Sequence, residues 1–200
     1  MLITGGGSGI GRELALRFNA LGNTVIVAGR RIETLEETIT GQQNMYAMVV
    51  DIEDPKAITA FAERVVAEHP NLNVLINNAG IMRREDLSST RDLSDAEQTV
   101  VANLLGPIRL TNALTDHLVH QPDAVVVNVS SGLAFVPLSG TPTYNATKAA
   151  IHSYTISLRE QLKGKVEIIE LAPPAVQTEL TPGQSTREGY MPLNNYIEEV

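Results

Sequence analysis

Short runs of β-branched and aliphatic residues alternate along this chain with longer segments whose apolar residues recur at helical spacing. Strands that are apolar along almost their whole length are typical of a parallel sheet covered on both faces. The alternation therefore predicts a single α/β domain with a doubly wound, mostly parallel Rossmann-like sheet and helices on both faces. The predicted strands are residues 2–4, 24–28, 45–50, 73–76, 124–129 and 166–171, and the predicted helices are residues 10–21, 32–40, 55–68, 95–120 (broken near Gly106-Pro107) and 144–163.

Composition narrows the function classes. The length of 200 residues is enough for one domain with a full core. With 15 Lys and Arg against 23 Asp and Glu the net charge is −8, and no basic run is present, so we expect no nucleic-acid partner. The absence of cysteine excludes disulfides and thiolate chemistry. No apolar run reaches the ~18 residues of a membrane span, and no signal peptide precedes the first strand, so we expect a cytoplasmic protein without a membrane partner.

A glycine cluster, Thr4-Gly5-Gly6-Gly7-Ser8-Gly9-Ile10-Gly11, lies between the first predicted strand and the first predicted helix. Gly5 can adopt the backbone angles of a sharp turn, and Gly9 and Gly11 allow a pyrophosphate to approach the backbone and the helix to pack closely. The first amides of the helix and its dipole would stabilise the phosphate charge without a lysine. A tight turn without a ligand is the alternative interpretation.

Three motifs occur in order along the chain: the spacing G-x-x-x-G-x-G, Asn77-Asn78-Ala79-Gly80 after the fourth strand, and Tyr144-x-x-x-Lys148. Together they resemble the short-chain dehydrogenase/reductase family, and the resemblance extends from residue 1 to about residue 178. It implies an oxidoreductase that interconverts an alcohol and a carbonyl by hydride transfer with a nicotinamide cofactor. A dinucleotide-binding sensor or scaffold with little turnover is the alternative function.

The end of the second strand bears on the choice of cofactor. It reads Gly29-Arg30-Arg31, and a guanidinium can hold a 2′-phosphate that a carboxylate would repel. Gly29 stands where NAD-preferring relatives carry aspartate, and Arg30 resembles the phosphate-binding residue of NADP-preferring relatives. We therefore expect NADP(H) to be preferred over NAD(H). Ser8 departs from the pattern, because many NADP relatives have a second basic residue there. Alternatively, both arginines solvate a loop and cap the next helix.

The resemblance also implies other cofactor contacts. Asp51-Ile52 is expected beside the adenine ring, although Asp51 could instead cap a helix, and Val176 and Thr178 are expected near the carboxamide. Pro174 stands where the family usually has glycine, which removes an amide donor. Asn77 is expected to tie neighbouring strands together. The full predicted cofactor-binding set is Thr4, Gly5, Gly7, Ser8, Gly9, Ile10, Gly11, Arg30, Arg31, Asp51, Ile52, Asn78, Ala79, Gly80, Tyr144, Lys148, Pro173, Val176 and Thr178.

Four residues are expected to carry the chemistry. Tyr144 and Lys148 share one helix face, where a nearby ammonium would lower the pKa of the phenol and fit it for general acid and base catalysis. Ser131 precedes Tyr144 by the family's spacing and would hydrogen-bond the substrate oxygen, with Ser130 as its rival. Asn103 resembles the family's helix asparagine, whose backbone carbonyl holds a water in the proton relay behind the lysine.

The sequence gives less support to other kinds of site. His117 and His120 could form half a metal site, but no acidic third ligand follows, so no metal is expected. A serine hydrolase would need a G-x-S-x-G elbow, which the chain lacks around Ser131. Arg83 and Arg84 could attract an anionic substrate or could be solvated surface.

Residues 179–200 are expected to form a substrate lid of the same domain, with a short helix at 193–200. Its apolar residues need a surface to cover, either bound cofactor and substrate or an element that is absent. Family members usually continue with a further strand and helix, so we expect a truncated form of a longer polypeptide whose lid is mobile without ligand. The sixth strand would be a sheet edge, and we expect the intact protein to be a homo-oligomer, a dimer or a tetramer. The apolar lid residues are Leu180, Tyr190, Met191, Leu193 and Ile197.

Overall fold

A single sheet of six parallel strands organises the computed structural model, which describes residues 1–200. Its spatial order is β3-β2-β1-β4-β5-β6, so the direction of winding reverses between β1 and β4. This arrangement confirms the predicted doubly wound Rossmann-like fold. The strands are β1 (Leu2–Thr4), β2 (Val25–Gly29), β3 (Met45–Val49), β4 (Val74–Asn77), β5 (Val125–Val129) and β6 (Glu167–Leu171).

Seven α-helices follow the strands, and their ends lie within two residues of the predicted ones. The predicted break is confirmed, because a π-helical segment over Val101–Leu105 precedes a new helix that begins at Gly106. None of the helices is both long and apolar enough to cross a bilayer. The helices are α1 (Gly9–Ala20), α2 (Ile32–Ile39), α3 (Pro55–Glu68), α4 (Ser94–Val100), α5 (Gly106–Leu118), α6 (Pro142–Gln161) and α7 (Leu193–Glu199).

Two apolar layers, one on each face of the sheet, hold the fold together. Leu2 of β1 packs into the layer formed with α3 and α5, whereas its neighbour Ile3 packs into the layer formed with α1, α2 and α7. Successive side chains of a strand point to opposite faces, so a central strand must be apolar throughout. The edge strands depart from this pattern, since β3 exposes Tyr46 and Val49 and β6 exposes Ile169.

The C-terminal segment packs against its own chain. Helix α7 lies on α1 and buries Tyr196 and Ile197 in the second apolar layer, where Met191 and Leu193 also pack. Met191, Leu193 and Ile197 therefore cover α1 and the sheet rather than awaiting a ligand or an absent element, whereas Leu180 lines the cleft. Strand β6 has β5 as its single neighbour, as expected of a sheet edge.

A chain of buried amides and hydroxyls crosses the sheet below the carboxyl ends of the strands. Asn77 Nδ2 donates to Thr111 Oγ1 and to Asn128 Oδ1, both at 2.9 Å. Asn128 Nδ2 in turn donates to Thr155 Oγ1 at 3.0 Å. The side chains therefore link α5, β4, β5 and α6, and the predicted strand-tying role of Asn77 is confirmed.

Replacing Asn77 with alanine should lower the free energy of unfolding by about 2 kcal/mol, because the buried Asn128 oxygen loses its donor. Urea unfolding measures the change. The matched control is Asn73→Ala, which removes long hydrogen bonds from Asn73 Nδ2 to surface carbonyls (3.3 and 3.4 Å). Equal effects of the two substitutions would contradict the role given to the buried chain.

Candidate active site

A cleft of about 560 Å³ runs along the carboxyl ends of the strands. It brings together every predicted cofactor-binding and catalytic residue except Gly11, Asp51 and Asn103. This edge of an open parallel sheet, at the point where the winding reverses, is where such folds bind ligands. The predicted residues that line the cleft are Thr4, Gly5, Gly7, Ser8, Gly9, Ile10, Arg30, Arg31, Ile52, Asn78, Ala79, Gly80, Ser131, Tyr144, Lys148, Pro173, Val176 and Thr178.

The first turn of α1 presents backbone amides that have no acceptor within the protein. The first amide of the helix to find a partner is that of Arg12, which donates to Ser8 O at 3.2 Å. The amides of Gly9, Ile10 and Gly11 have no such partner, and the Ser8 side chain does not cap them. Free amides and the positive end of a helix dipole together favour an anion such as a phosphate.

The lack of a side chain at Gly11 serves packing. A Cβ atom at this position would lie 2.4 Å from both Gly5 O and Asn78 Nδ2, so only glycine lets the helix approach the turn so closely. Gly5 adopts a φ of +68°, which favours glycine as predicted. Gly11 thus provides the expected close packing of helix on turn, and its contact with the cofactor stays a prediction.

Thr4 and Asn78 fasten the ends of the two central strands to each other. Thr4 Oγ1 accepts hydrogen bonds from Asn78 N (3.0 Å) and Ala79 N (3.1 Å). Asn78 Nδ2 donates to Thr4 O at 2.9 Å. Both residues line the cleft, but their side chains are already bonded within the protein, so they shape the wall of the cleft.

The cleft carries an ion pair at the end of β2. Arg30 Nη1 lies 3.1 Å from Glu53 Oε1, and Gln98 Nε2 of α4 donates to the same carboxylate at 3.2 and 3.3 Å. Glu53 also lines the cleft. Sequence reasoning missed it, because the loop after β3 brings this carboxylate to a residue 23 positions earlier in the chain.

Asp51 itself does not line the cleft, whereas its neighbour Ile52 does, and the expected contact of Asp51 with the adenine ring stays a prediction. Its Oδ1 accepts a hydrogen bond from Glu53 N at 2.9 Å and closes the turn before α3. Asp54 caps α3 through Lys56 N and Ala57 N, as its position before Pro55 predicts.

Tyr144 and Lys148 lie one turn apart near the start of α6, and both are buried. Lys148 Nζ donates to Val129 O at 2.8 Å and lies 5.6 Å from the centroid of the Tyr144 ring. Burial penalises the ammonium and lowers the pKa of Lys148 to about 8. This side chain is therefore charged at neutral pH but close to losing its proton.

The Tyr144 phenol is held in its protonated form. Burial raises its pKa, and a hydrogen bond with Ser131 lowers the pKa to a smaller extent. The expected lowering by Lys148 is absent, because the ammonium is directed at the Val129 carbonyl and burial outweighs the other effects. The hydroxyl of the rival Ser130 points to Leu171 O at 3.5 Å, so Ser131 is the serine that faces the phenol.

Asn103 occupies the buried π-helical segment and does not line the cleft. Its Oδ1 accepts from Ile81 N and its Nδ2 donates to Ile81 O, both at 2.8 Å. A weaker hydrogen bond reaches Thr147 Oγ1 on α6 at 3.4 Å. The side chain therefore fixes the loop after β4 beside the helix that carries Tyr144.

The histidines considered as metal ligands are engaged separately. His117 Nε2 lies 2.8 Å from Leu72 O and His120 Nδ1 lies 2.6 Å from Asp116 O. No three His, Cys, Asp or Glu side chains come together in an arrangement that could hold a metal ion.

Lys148 predicts a pH dependence of stability. The unfolded chain has the ordinary lysine pKa of 10.5 and the folded chain a pKa of about 8, so the unfolded chain binds the extra proton between these pH values. The parent should therefore gain about 3 kcal/mol of stability relative to Lys148→Met between pH 7 and pH 10.5. Urea unfolding at both pH values checks this gain, with Lys165→Met, which removes an exposed lysine, as the control. A constant difference between parent and Lys148→Met would contradict it.

Comparisons with known proteins agree on one family. The family model described as short chain dehydrogenase matches residues 1–189. The uncharacterized oxidoreductase DltE of Bacillus subtilis is 44% identical over 191 residues, which are 94% of this chain and 76% of that protein.

Two solved structures superpose closely on this chain. The closed form of a serine dehydrogenase complexed with NADP+ has a TM-score of 0.89 at 26% identity and covers 99% of this chain and 86% of its own. A 3-ketoacyl-(acyl-carrier-protein) reductase from Brucella melitensis complexed with NADH has the same TM-score and identity, over 99% and 87% of the two chains.

Proposed function

The chain belongs to the short-chain dehydrogenase/reductase family of NAD(P)-dependent oxidoreductases, and we propose that it interconverts an alcohol and a carbonyl with NADP(H) as its preferred cofactor. The observation that carries this proposal is the composition of one cleft. Tyr144, Ser131 and Lys148 lie in the same cavity as the unpaired amides of the first turn of α1 and the guanidinium of Arg30.

The cleft fits a nicotinamide dinucleotide along its length. The amides of Gly9 and Ile10 would hold the pyrophosphate, and Gly9 has a φ of +52°, which favours glycine at this turn. Lys148 would hold the nicotinamide ribose at the other end. When bound, the nicotinamide supplies a hydride to the carbonyl carbon or accepts one from the alcohol carbon.

Tyr144 is the proposed general acid and base. Because burial keeps its phenol protonated at neutral pH, it can donate a proton to the carbonyl oxygen as hydride reaches the carbon. In the oxidation direction the same oxygen takes the alcohol proton. The Ser131 hydroxyl would hydrogen-bond the substrate oxygen and stabilise the charge that develops there. Asn103 supports this relay by fixing the backbone at Ile81, next to the cleft.

Arg30 supports the preference for NADP(H). Its side chain is half exposed in the cleft and held in place by Glu53. A 2′-phosphate would replace the Glu53 carboxylate as the partner of the Arg30 guanidinium, or would bind the guanidinium together with it. Guanidinium groups form bidentate, charge-assisted hydrogen bonds with phosphates. The ribose of NADH offers no anion at this position.

We also propose that the protein assembles as a homo-oligomer. Strand β6 has one neighbour in the sheet and exposes Ile169, so its free edge could pair with another copy of the chain.

Tyr144→Phe should abolish nearly all turnover and leave NADPH affinity almost unchanged, because only the proton donor is lost. Lys148→Ala should reduce both. The measurement pairs NADPH oxidation, over a panel of ketones and aldehydes, with NADPH fluorescence on the same preparation. Tyr154→Phe, on the same helix, is the matched control. Substantial activity in Tyr144→Phe would place the proton transfer elsewhere, and NADPH binding by a parent protein that turns over no carbonyl would favour the sensor or scaffold alternative.

Arg30→Ala should weaken NADPH binding by about 1.5–3 kcal/mol and leave NADH binding nearly unchanged, because a charge-assisted contact to the 2′-phosphate is lost. Fluorescence titration with each cofactor measures the difference. Arg64→Ala, which removes an exposed guanidinium from α3, controls for the change in net charge. Equal affinities of the parent for NADPH and NADH would overturn the assignment.

A further inference from the structure

Glu85 is a buried carboxylate in the loop between β4 and α4, and the proposed reaction does not use it. Its side chain is only 3% exposed. Oε1 accepts a hydrogen bond from Thr143 N at 2.9 Å, and Oε2 accepts from Thr143 Oγ1 at 2.8 Å. The backbone amide of Glu85 also donates to Gly140 O at 3.0 Å. Glu85 is therefore bonded to the segment that leads into α6 and to the first turn of that helix.

The first turn of α6 depends on this carboxylate. The residue at the N-cap position, Thr141, forms no capping hydrogen bond, because its hydroxyl is directed to Leu138 O and Asn145 Oδ1. Thr143 N would otherwise be an unpaired donor at the positive end of the helix dipole. Glu85 supplies both the acceptor and the negative charge from a loop 58 residues earlier in the chain. The next residue after Thr143 is Tyr144.

Arg91 holds the Glu85 carboxylate in place. Its Nη2 lies 2.5 Å from Glu85 Oε2, and its Nη1 lies 2.6 Å from Asp95 Oδ1 in the first turn of α4. The same guanidinium donates to Asp92 O at 2.9 Å. Glu85 is thus attached to α6 and Arg91 to α4, so the carboxylate has little freedom to leave Thr143.

The loop between β4 and α4 is also held by hydrogen bonds at Ile81, four residues before Glu85. Asn103 binds both backbone groups of Ile81, and Glu85 binds Thr143 and Gly140. The loop is therefore fixed at two points against the elements that build the proton-transfer site. Arg83, which lines the cleft, lies between these points.

From this geometry we infer that Glu85 is a positioning residue, which fixes the first turn of α6 so that the Tyr144 hydroxyl stays in place beside Ser131. The inference rests on the proposed proton-transfer role of Tyr144. Displacement of a reacting group by about 1 Å can cost on the order of 100-fold in rate, so a well-held helix start matters for turnover more than for cofactor affinity.

The test compares kcat with NADPH affinity in Glu85→Ala. We expect kcat to fall by about 10–100-fold while the NADPH Kd stays within about twofold of the parent. Glu85→Gln keeps an acceptor for Thr143 N but loses the Arg91 ion pair, so its kcat should lie between those of Glu85→Ala and the parent. The double variant Glu85→Gln with Arg91→Gln pairs two neutral amides at these positions, so its kcat should be closer to that of the parent than the kcat of Glu85→Gln. Glu68→Ala, which removes an exposed ion pair from α3, is the control.

Hydrogen exchange across α6 supplies a readout that does not depend on turnover. Faster exchange confined to the amides of residues 143–147 of the Ala variant is expected, with the rest of the helix unchanged. An unaltered kcat at saturating NADPH in Glu85→Ala would overturn the inference. Faster exchange along the whole helix, with a matching loss of NADPH binding, would also overturn it. If Glu85→Ala does not fold, Glu85→Gln and its double variant decide the question. A parent protein without turnover would refute the proposed function, and the exchange pattern would then decide the role of Glu85 on its own.

Discussion

The hydroxyl of Thr4 joins the ends of β1 and β4, where the sheet reverses its direction of winding. From these two strands the chain departs to opposite faces, so a crevice opens between the departing segments. Close packing keeps its walls in place, since a side chain on Gly11 would collide with Gly5 and Asn78. The free amides of α1 and the loop after β4 take their positions from this junction. The remaining features of the cleft are arranged around it.

Charge within the cleft differs from the charge of the molecule. The chain carries a net charge of −8, yet the cleft is lined by Arg30, Arg31, Arg83 and Lys148 against Glu53 and Glu179. A concave site of this kind attracts an anion even on an acidic protein, because the local field dominates at short range. Burial of Lys148 is costly for the fold, and its lowered pKa reports that cost. The cost is consistent with a group kept for chemistry rather than for stability.

Local sequence patterns are sufficient to predict the fold and most of the residues that line the cleft. Strand and helix bounds followed from periodicity, and the glycine turn, the Asn77 to Gly80 motif and the Tyr144–Lys148 pair came together as the topology requires. Helix α6 starts two residues earlier than predicted, because Pro142 lies at its first position, where the fixed φ and missing amide of proline favour a helix start. Periodicity does not state which surface an amphipathic helix covers, so the sequence could not show that α7 packs on α1.

Long-range partners could not be predicted from the sequence. Glu53 reaches Arg30 and Glu85 reaches Thr143 only because loops at the sheet edge are folded back over the strand ends. An isolated glutamate in a polar loop has no pattern that marks it as buried. The direction of the Tyr144 pKa shift could likewise not be predicted, since helix spacing places Lys148 nearby but does not show that its ammonium turns to Val129.

A crystal structure of the protein with NADP+ tests the central claim most directly. The account predicts one continuous ligand along the cleft, with the pyrophosphate at the first turn of α1, the 2′-phosphate at Arg30 and the nicotinamide beside Tyr144 and Lys148. A dinucleotide bound outside this cleft, or one whose nicotinamide lies away from Tyr144, would contradict it.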